Sequence, residues 1–199
     1  LWTAIPVLIL VAMAAPATST LLKMEDTSKA DLTVLITGSQ WKWHYKYREH
    51  PVEFYSLLAT SKKQISGDEP KSGTYLLEVD QPLVLPIGKK IRFLMTSDDV
   101  IHSWWVPAFA VKKDANPGYI NESWTRIDKA GTYRGQCAEL CGKDHGFMPI
   151  VVVAKPAGEF DGWIAKTAAD QAGAKAQQQD LASQTMTLPQ AMELGEKVY

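Results

Sequence analysis

Residues 90–136 read KIRFLMTSDDVIHSWWVPAFAVKKDANPGYINESWTRIDKAGTYRGQ. Within them, runs rich in β-branched and aromatic residues (90–95, 100–106, 119–127 and 131–136) are separated by Asn116-Pro117-Gly118 and Lys129-Ala130-Gly131, the punctuation of strands joined by turns. None carries the 3.6-residue apolar period of a helix. Working outward, further runs occupy 32–36, 41–47, 74–79 and 150–154, with Gly67-Asp68, Lys71-Ser72-Gly73, Pro86 and Gly88 between them. Eight short strands without an intervening helical period predict a mainly β domain over 31–155, an antiparallel sandwich or barrel. Residues 48–71 are polar and turn-rich and read as a long hairpin excursion. Glu159, Phe160, Trp163 and Ile164 then put apolar residues at helical spacing, which predicts a short closing helix over 156–167.

The ends of the chain differ from this middle. Residues 1–22, LWTAIPVLILVAMAAPATSTLL, carry no charge, and the first is Lys23. About 20 residues span a bilayer core, Trp2 suits an interfacial anchor, and Pro6 and Pro16 are tolerated in membrane helices. One transmembrane helix is the reading adopted. Ala14-Ala15-Pro16-Ala17 loosely resembles a signal-peptide cleavage region, but no basic segment precedes the apolar run. Either way, everything after Lys23 crosses a membrane. Residues 168–186, rich in Ala, Gln, Lys and Asp, read as a linker. Thr187 and Pro189 then look like the N-cap and first turn of another helix, continued by Ala191, Leu194 and Val198. Both ends read as interior to a longer polypeptide. Over 199 residues, 46% hydrophobic and 22% charged content excludes wholesale disorder. A net charge of −1 argues against nucleic acid as a partner, and two cysteines are too few for a disulfide scaffold.

Those two cysteines lie in Cys137-Ala138-Glu139-Leu140-Cys141-Gly142-Lys143-Asp144-His145-Gly146-Phe147-Met148, and His102 sits at the end of an earlier run. Several chemistries compete for this cluster. A Cys137–Cys141 disulfide is reasonable outside the cytosol. A structural zinc would use the Cys and His residues and leave Met148 unexplained. Soft sulfur ligands with imidazole favour copper. A mononuclear blue-copper site takes one Cys, two His and a weak Met, which leaves one thiolate over. Two thiolates on one loop can bridge two metal ions, each capped by one imidazole, with the thioether and a backbone carbonyl as outer ligands. Such a pair shares one electron and leaves no position for substrate, which suits an electron relay.

Cys137-x-Glu139-x-Cys141-Gly142-x-x-His145-x-x-Met148, preceded by Asp99-Val100-Ile101-His102-Ser103-Trp104, resembles the dinuclear copper A signature of cytochrome c oxidase subunit II. The resemblance runs from Trp2-Thr3-x-Ile5-Pro6 through Gln40-Trp41-Lys42-Trp43 to about Trp163. It implies a cupredoxin-like β-sandwich on the periplasmic face of the bacterial inner membrane, with residues 1–22 as the second of two anchoring helices. It further implies that Cys137 and Cys141 bridge two copper ions, that His102 and His145 are terminal ligands, and that Met148 and the Glu139 backbone carbonyl are weak ones. The Glu139 side chain would reach a magnesium ion at the subunit I interface, and Asp99 would lie behind the copper near the same interface. Trp41 would be exposed and receive electrons from cytochrome c. The implied function is transfer of those electrons to haem a in subunit I, within a proton-pumping oxidase that reduces oxygen to water and also contains subunit III.

Trp41, Trp43, Tyr45 and Tyr47 alternate with polar residues, so most of them read as one buried strand face. His44 and His50 belong to no cluster and read as solvated. Lys42 and His44 leave the charge of the docking face open, and Tyr119 replaces an Arg common in relatives. Residues 186–199 resemble the opening helix of a cytochrome c domain, with Gly195 to Tyr199 as its Gly-x-x-Val-Tyr, which implies a haem c farther on, as in caa-type oxidases. A related copper A domain of a nitrous oxide reductase fits the membrane helix and Glu139 poorly. A copper-delivery module would need exchangeable ligands, whereas the second thiolate and Met148 suit retention.

Overall fold

The computed structural model describes residues 1–183 and positions 189, 192, 193, 195 and 196. Most of the helix expected over 187–199, and with it the start of a cytochrome c domain, lies outside the described residues. The uncharged start forms α1 (Ala4–Glu25), whose side chains are all unburied and whose apolar window has a mean hydropathy of 2.0. Its 22 residues span ~33 Å at ~1.5 Å per residue, enough for a bilayer core. Pro16 is accommodated inside it.

The chain then enters β1 (Leu32–Ser39) and turns back as β2 (Lys42–Tyr47), the two pairing antiparallel from Val34 with Tyr47 to Ser39 with Lys42. Along β2 the expected alternation is observed: Trp43, Tyr45 and Tyr47 are buried, while Lys42, His44 and Lys46 are partly exposed. There follow β3 (Glu53–Ser56), the single-turn α2 (Lys62–Ser66), β4 (Leu83–Pro86), β5 (Lys90–Ser97), β6 (His102–Val106), β7 (Val111–Ala115), β8 (Asn121–Arg126), β9 (Gly131–Cys137), β10 (Pro149–Lys155) and α3 (Ala157–Ser183).

Two five-stranded sheets, ordered β3-β2-β1-β5-β8 and β4-β10-β9-β6-β7, face each other. Large side chains meet between them. Phe93 of the first sheet lies 5.0 Å, centroid to centroid, from Trp104 of the second. The buried polar tips find partners across the gap, as such tips must: the Trp104 indole donates to the Tyr45 hydroxyl at 3.3 Å, and the Tyr47 hydroxyl donates to the Val84 carbonyl at 2.6 Å.

The sandwich is not purely antiparallel. β1 runs parallel to β5 and β4 parallel to β10, an arrangement that side-chain alternation cannot reveal because it is the same for either direction. Residues 74–79 are not a strand; they form turns, with Val79 making only an isolated bridge to Leu58. The 48–71 excursion contains β3 and α2. The closing helix is longer than 156–167, because α3 runs through most of the expected linker to Ser183. Phe160 and Ile164 bury its first turns. Farther on, Ala, Gln and Lys are good helix formers, and the Gln171 amide pairs with both the N–H (3.3 Å) and the carbonyl (2.9 Å) of Glu53 on β3. That contact covers an edge strand that would otherwise present free backbone groups.

A candidate metal centre

At one end of the sandwich the β1–β2 turn, the loop entering β6 and the β9–β10 loop converge. His102 opens β6 and is fully buried. Its Nε2 lies 2.9 Å from Asp99 Oδ1, and its Nδ1 faces the Cys137 sulfur at 3.9 Å. Asp99 is itself held, accepting from the N–H of Gln40 at 2.7 Å and of Val100 at 2.7 Å. A carboxylate behind one ring nitrogen, with the other turned into the site, is how ligating histidines are oriented.

Cys137 closes β9, and its thiol donates to the Glu139 carbonyl at 3.3 Å. Cys141 follows one loop turn later, its sulfur 3.9 Å from that of Cys137, 3.4 Å from His145 Nδ1 and 3.5 Å from Met148 Sδ. Both cysteines are free and buried. Each sulfur therefore faces its own imidazole. The loop is anchored from outside: Gln40 Nε2 and the Trp41 indole both donate to the Cys141 carbonyl (2.7 and 3.2 Å), and the Trp43 indole donates to the Met148 carbonyl at 3.2 Å. Gly142 takes φ +116°, and a Cβ there would come within 2.9 Å of Gln40 Nε2 and 3.0 Å of Trp41. Only glycine suits both the backbone angle and the packing.

The electrostatics favour a cation. Burial opposes ionisation of Cys137, but contacts with His102 and with the backbone at Ser103 and Glu139 outweigh it and leave the thiol below its ordinary value. At Cys141, burial and then the charge of Cys137 push the thiol up to about 12. Cys137 is thus the easier of the two thiols to ionise, and Cys141 ionises only with a positive partner beside it, the condition under which metal binding releases a proton. Burial likewise opposes charge on Asp99, yet bonds from Gln40, His102 and Val100 hold its carboxyl below the usual range.

The donor set fits a soft metal. Neighbouring donors stand 3.3–3.9 Å apart, matching the ~3.6 Å between ligands that share a tetrahedral ion at bond lengths of ~2.0–2.3 Å. The ligand atoms of His102, Cys137 and Cys141 all lie within 4.8 Å of one another. Two sulfurs, two imidazoles and a thioether exceed one tetrahedron, and the composition selects copper over hard cations.

The structure thus brings together His102, Cys137, Cys141, His145, Met148 and the Glu139 carbonyl. The Glu139 side chain is exposed. Trp41 is only partly exposed, because it packs against the core. His44 stacks on Tyr55 at 4.6 Å and His50 abuts Phe160 at 6.3 Å, both away from the cluster. Tyr119 is exposed. The bracing roles of Gln40 and Trp43 carry no sequence signal beyond their place in Gln-Trp-x-Trp.

A two-sheet sandwich with a thiol, imidazole and thioether cluster in the loops at one end defines a cupredoxin-like domain with a candidate metal site. Residues 32–155 match the family model for the periplasmic domain of cytochrome c oxidase subunit II, and the chain belongs to that family. It is 45% identical over 166 residues to a probable cytochrome c oxidase subunit 2 of Rickettsia bellii, covering 83% of this chain and 60% of that one. It is 41% identical to cytochrome c oxidase subunit 2 of Branchiostoma floridae, covering 81% and 69%. The crystal structure of the periplasmic domain of subunit II (CoxB) of Bradyrhizobium japonicum superposes with a TM-score of 0.64 at 44% identity, covering 73% of this chain and 98% of that one. The chain spans 51–60% of the length of its Rickettsia relatives.

Proposed function

We propose that this chain is the electron-transfer subunit of a haem-copper terminal oxidase, accepting electrons from cytochrome c at a dinuclear copper A centre and passing them to haem a in subunit I, where oxygen is reduced to water and protons are pumped. One observation carries this reading: two free, buried thiols 3.9 Å apart, each facing a different imidazole. Copper bound there supplies reversible one-electron chemistry, with the charge change spread over two ions. Cys137 and Cys141 would bridge, His102 and His145 would cap one ion each, and Met148 and the Glu139 carbonyl would be weak outer ligands. Asp99 fixes the His102 ring, and burial keeps water from the sulfurs.

Trp41 offers a donor a partly exposed ring one hydrogen bond from Cys141. The exposed Glu139 carboxylate is free to meet a magnesium ion at the subunit I interface, a hard cation that keeps several of its waters. α1 anchors the chain in the bacterial inner membrane with the sandwich on the periplasmic side, beside subunits I and III. Metal analysis with electron paramagnetic resonance of the purified copper-loaded protein tests the centre. Two coppers per chain sharing one unpaired electron are expected; one isolated copper, or one zinc, overturns the proposal.

Met148→Leu keeps both coppers, because a weak ligand tunes more than it holds. Its expected effect is a higher reduction potential in a voltammetric titration and slower electron transfer. Loss of copper from that variant would contradict the assignment of Met148.

A further inference from the structure

The end of α1 is not left to water. Its last turn exposes carbonyls with no partner inside the helix, and the outer face of the sandwich supplies the donors. The Trp124 indole donates to the Met24 carbonyl at 2.9 Å. The Lys90 ammonium donates to the carbonyls of Asp26 and Ser28, both at 2.8 Å, and sits 4.7 Å above the Trp124 ring. Thr27 donates to Glu122 at 2.7 Å, and Glu122 is in turn gripped by Arg92. Lys90 and Arg92 lie on β5 and Trp124 and Glu122 on the adjacent β8, where Arg92 pairs with Trp124, Lys90 with Arg126 and Leu94 with Glu122, so one rigid two-strand patch holds every residue type the link needs. A cation at a helix C-terminus is favourable, and Trp with Lys suits the membrane interface.

Taking the electron-transfer reading above as its basis, we propose that Lys90 and Trp124, with Glu122, are positioning residues: they cap the membrane helix from the sheet and fix the orientation of the metal centre over the membrane subunit. The leverage follows from topology. β1 and β5 run parallel from this clamp, pairing Leu32 with Ile91 through Gly38 with Ser97, and end at the metal site. Six residue steps put the site ~20 Å from the Lys90 end of the clamp, so a tilt of ~10° about that end moves the site by ~3–4 Å. A displacement of that size alters the separation of the two centres between which the electron passes, and so slows the transfer.

The test uses the assembled oxidase in membranes with a Lys90→Met/Trp124→Phe double variant, which removes the donors and keeps bulk. Lys23 and Lys29 flank the link, so trypsin reports its opening by releasing the sandwich. Expected results are release several-fold faster than from the unsubstituted complex, and slower electron transfer to the membrane haem, with copper content and resonance spectrum unchanged. Lys90→Arg, which retains donation, should restore both. Unchanged release and unchanged transfer in the double variant would overturn the clamp, as would a Lys90→Arg variant as impaired as the double one. If the unsubstituted complex shows no two-copper signal, the electron-transfer reading fails, and the trypsin comparison still judges the clamp.

Discussion

Cys137→Ser is expected to abolish the two-copper centre, with copper falling from two ions per chain to one or none and the shared-electron resonance pattern lost. Cys137 is the donor through which the two halves of the cluster meet: its sulfur faces His102 Nδ1, the Glu139 carbonyl and the Cys141 sulfur at 3.9, 3.3 and 3.9 Å. Serine keeps the shape but offers a hard hydroxyl that stays protonated, so it neither bridges nor suits a soft metal. Cys141 would remain with His145 and Met148, a set closer to a mononuclear site. The apo domain should still fold, since the substitution removes one buried sulfur rather than a large core side chain. Copper stoichiometry and the resonance spectrum, measured beside the melting temperature of the apo protein, separate loss of metal from loss of fold. Two coppers and an unaltered spectrum would refute bridging by Cys137.

What could be read before folding follows from which interactions are local. Alternation from Trp41 to Tyr47 records a strand with one buried face, and the structure buries Trp43, Tyr45 and Tyr47. The Cys-x-Glu-x-Cys and His-x-x-Met spacing sits on a single loop, so its convergence needed only His102 from elsewhere. Strand partners are a different matter. β4 is buried along its whole length beside β10, and so lacks the alternation that marks a half-exposed strand; Pro86 disguised it as a turn. β3 is a short edge strand with polar neighbours, and its cover, Gln171, comes from 118 residues later in the chain. Residues 74–79 show the converse, a β-type composition that ends in turns because the surrounding loop makes no ladder for it. At the site, the Gln40 and Trp43 braces depend on contacts about a hundred residues apart, which no local pattern encodes.

Gly135 shows how an unremarkable residue can govern both fold and site. It lies buried in β9, where a Cβ would overlap the Trp105 carbonyl oxygen on β6 and reach within 2.9 Å of Val106 Cγ2. Both obstacles lie in a strand packed on the core, so neither can swing aside as an exposed side chain would. Gly135→Ala must therefore force β6 from β9, and that pairing rests on only Trp104 with Cys137 and Trp105 with Gln136. Overpacking typically costs ~1–3 kcal/mol, and an overlap with backbone this close belongs at the upper end of that range, a large part of a domain's usual ~5–15 kcal/mol. The melting temperature of the apo domain should fall by roughly 6–12 °C. The same displacement separates His102, at the start of β6, from Cys137, at the end of β9, so copper affinity should fall with stability. Circular dichroism melting and copper titration of the alanine variant check the two effects together. An unchanged melt with full copper loading would mean that β6 and β9 are not held as closely as their pairing indicates.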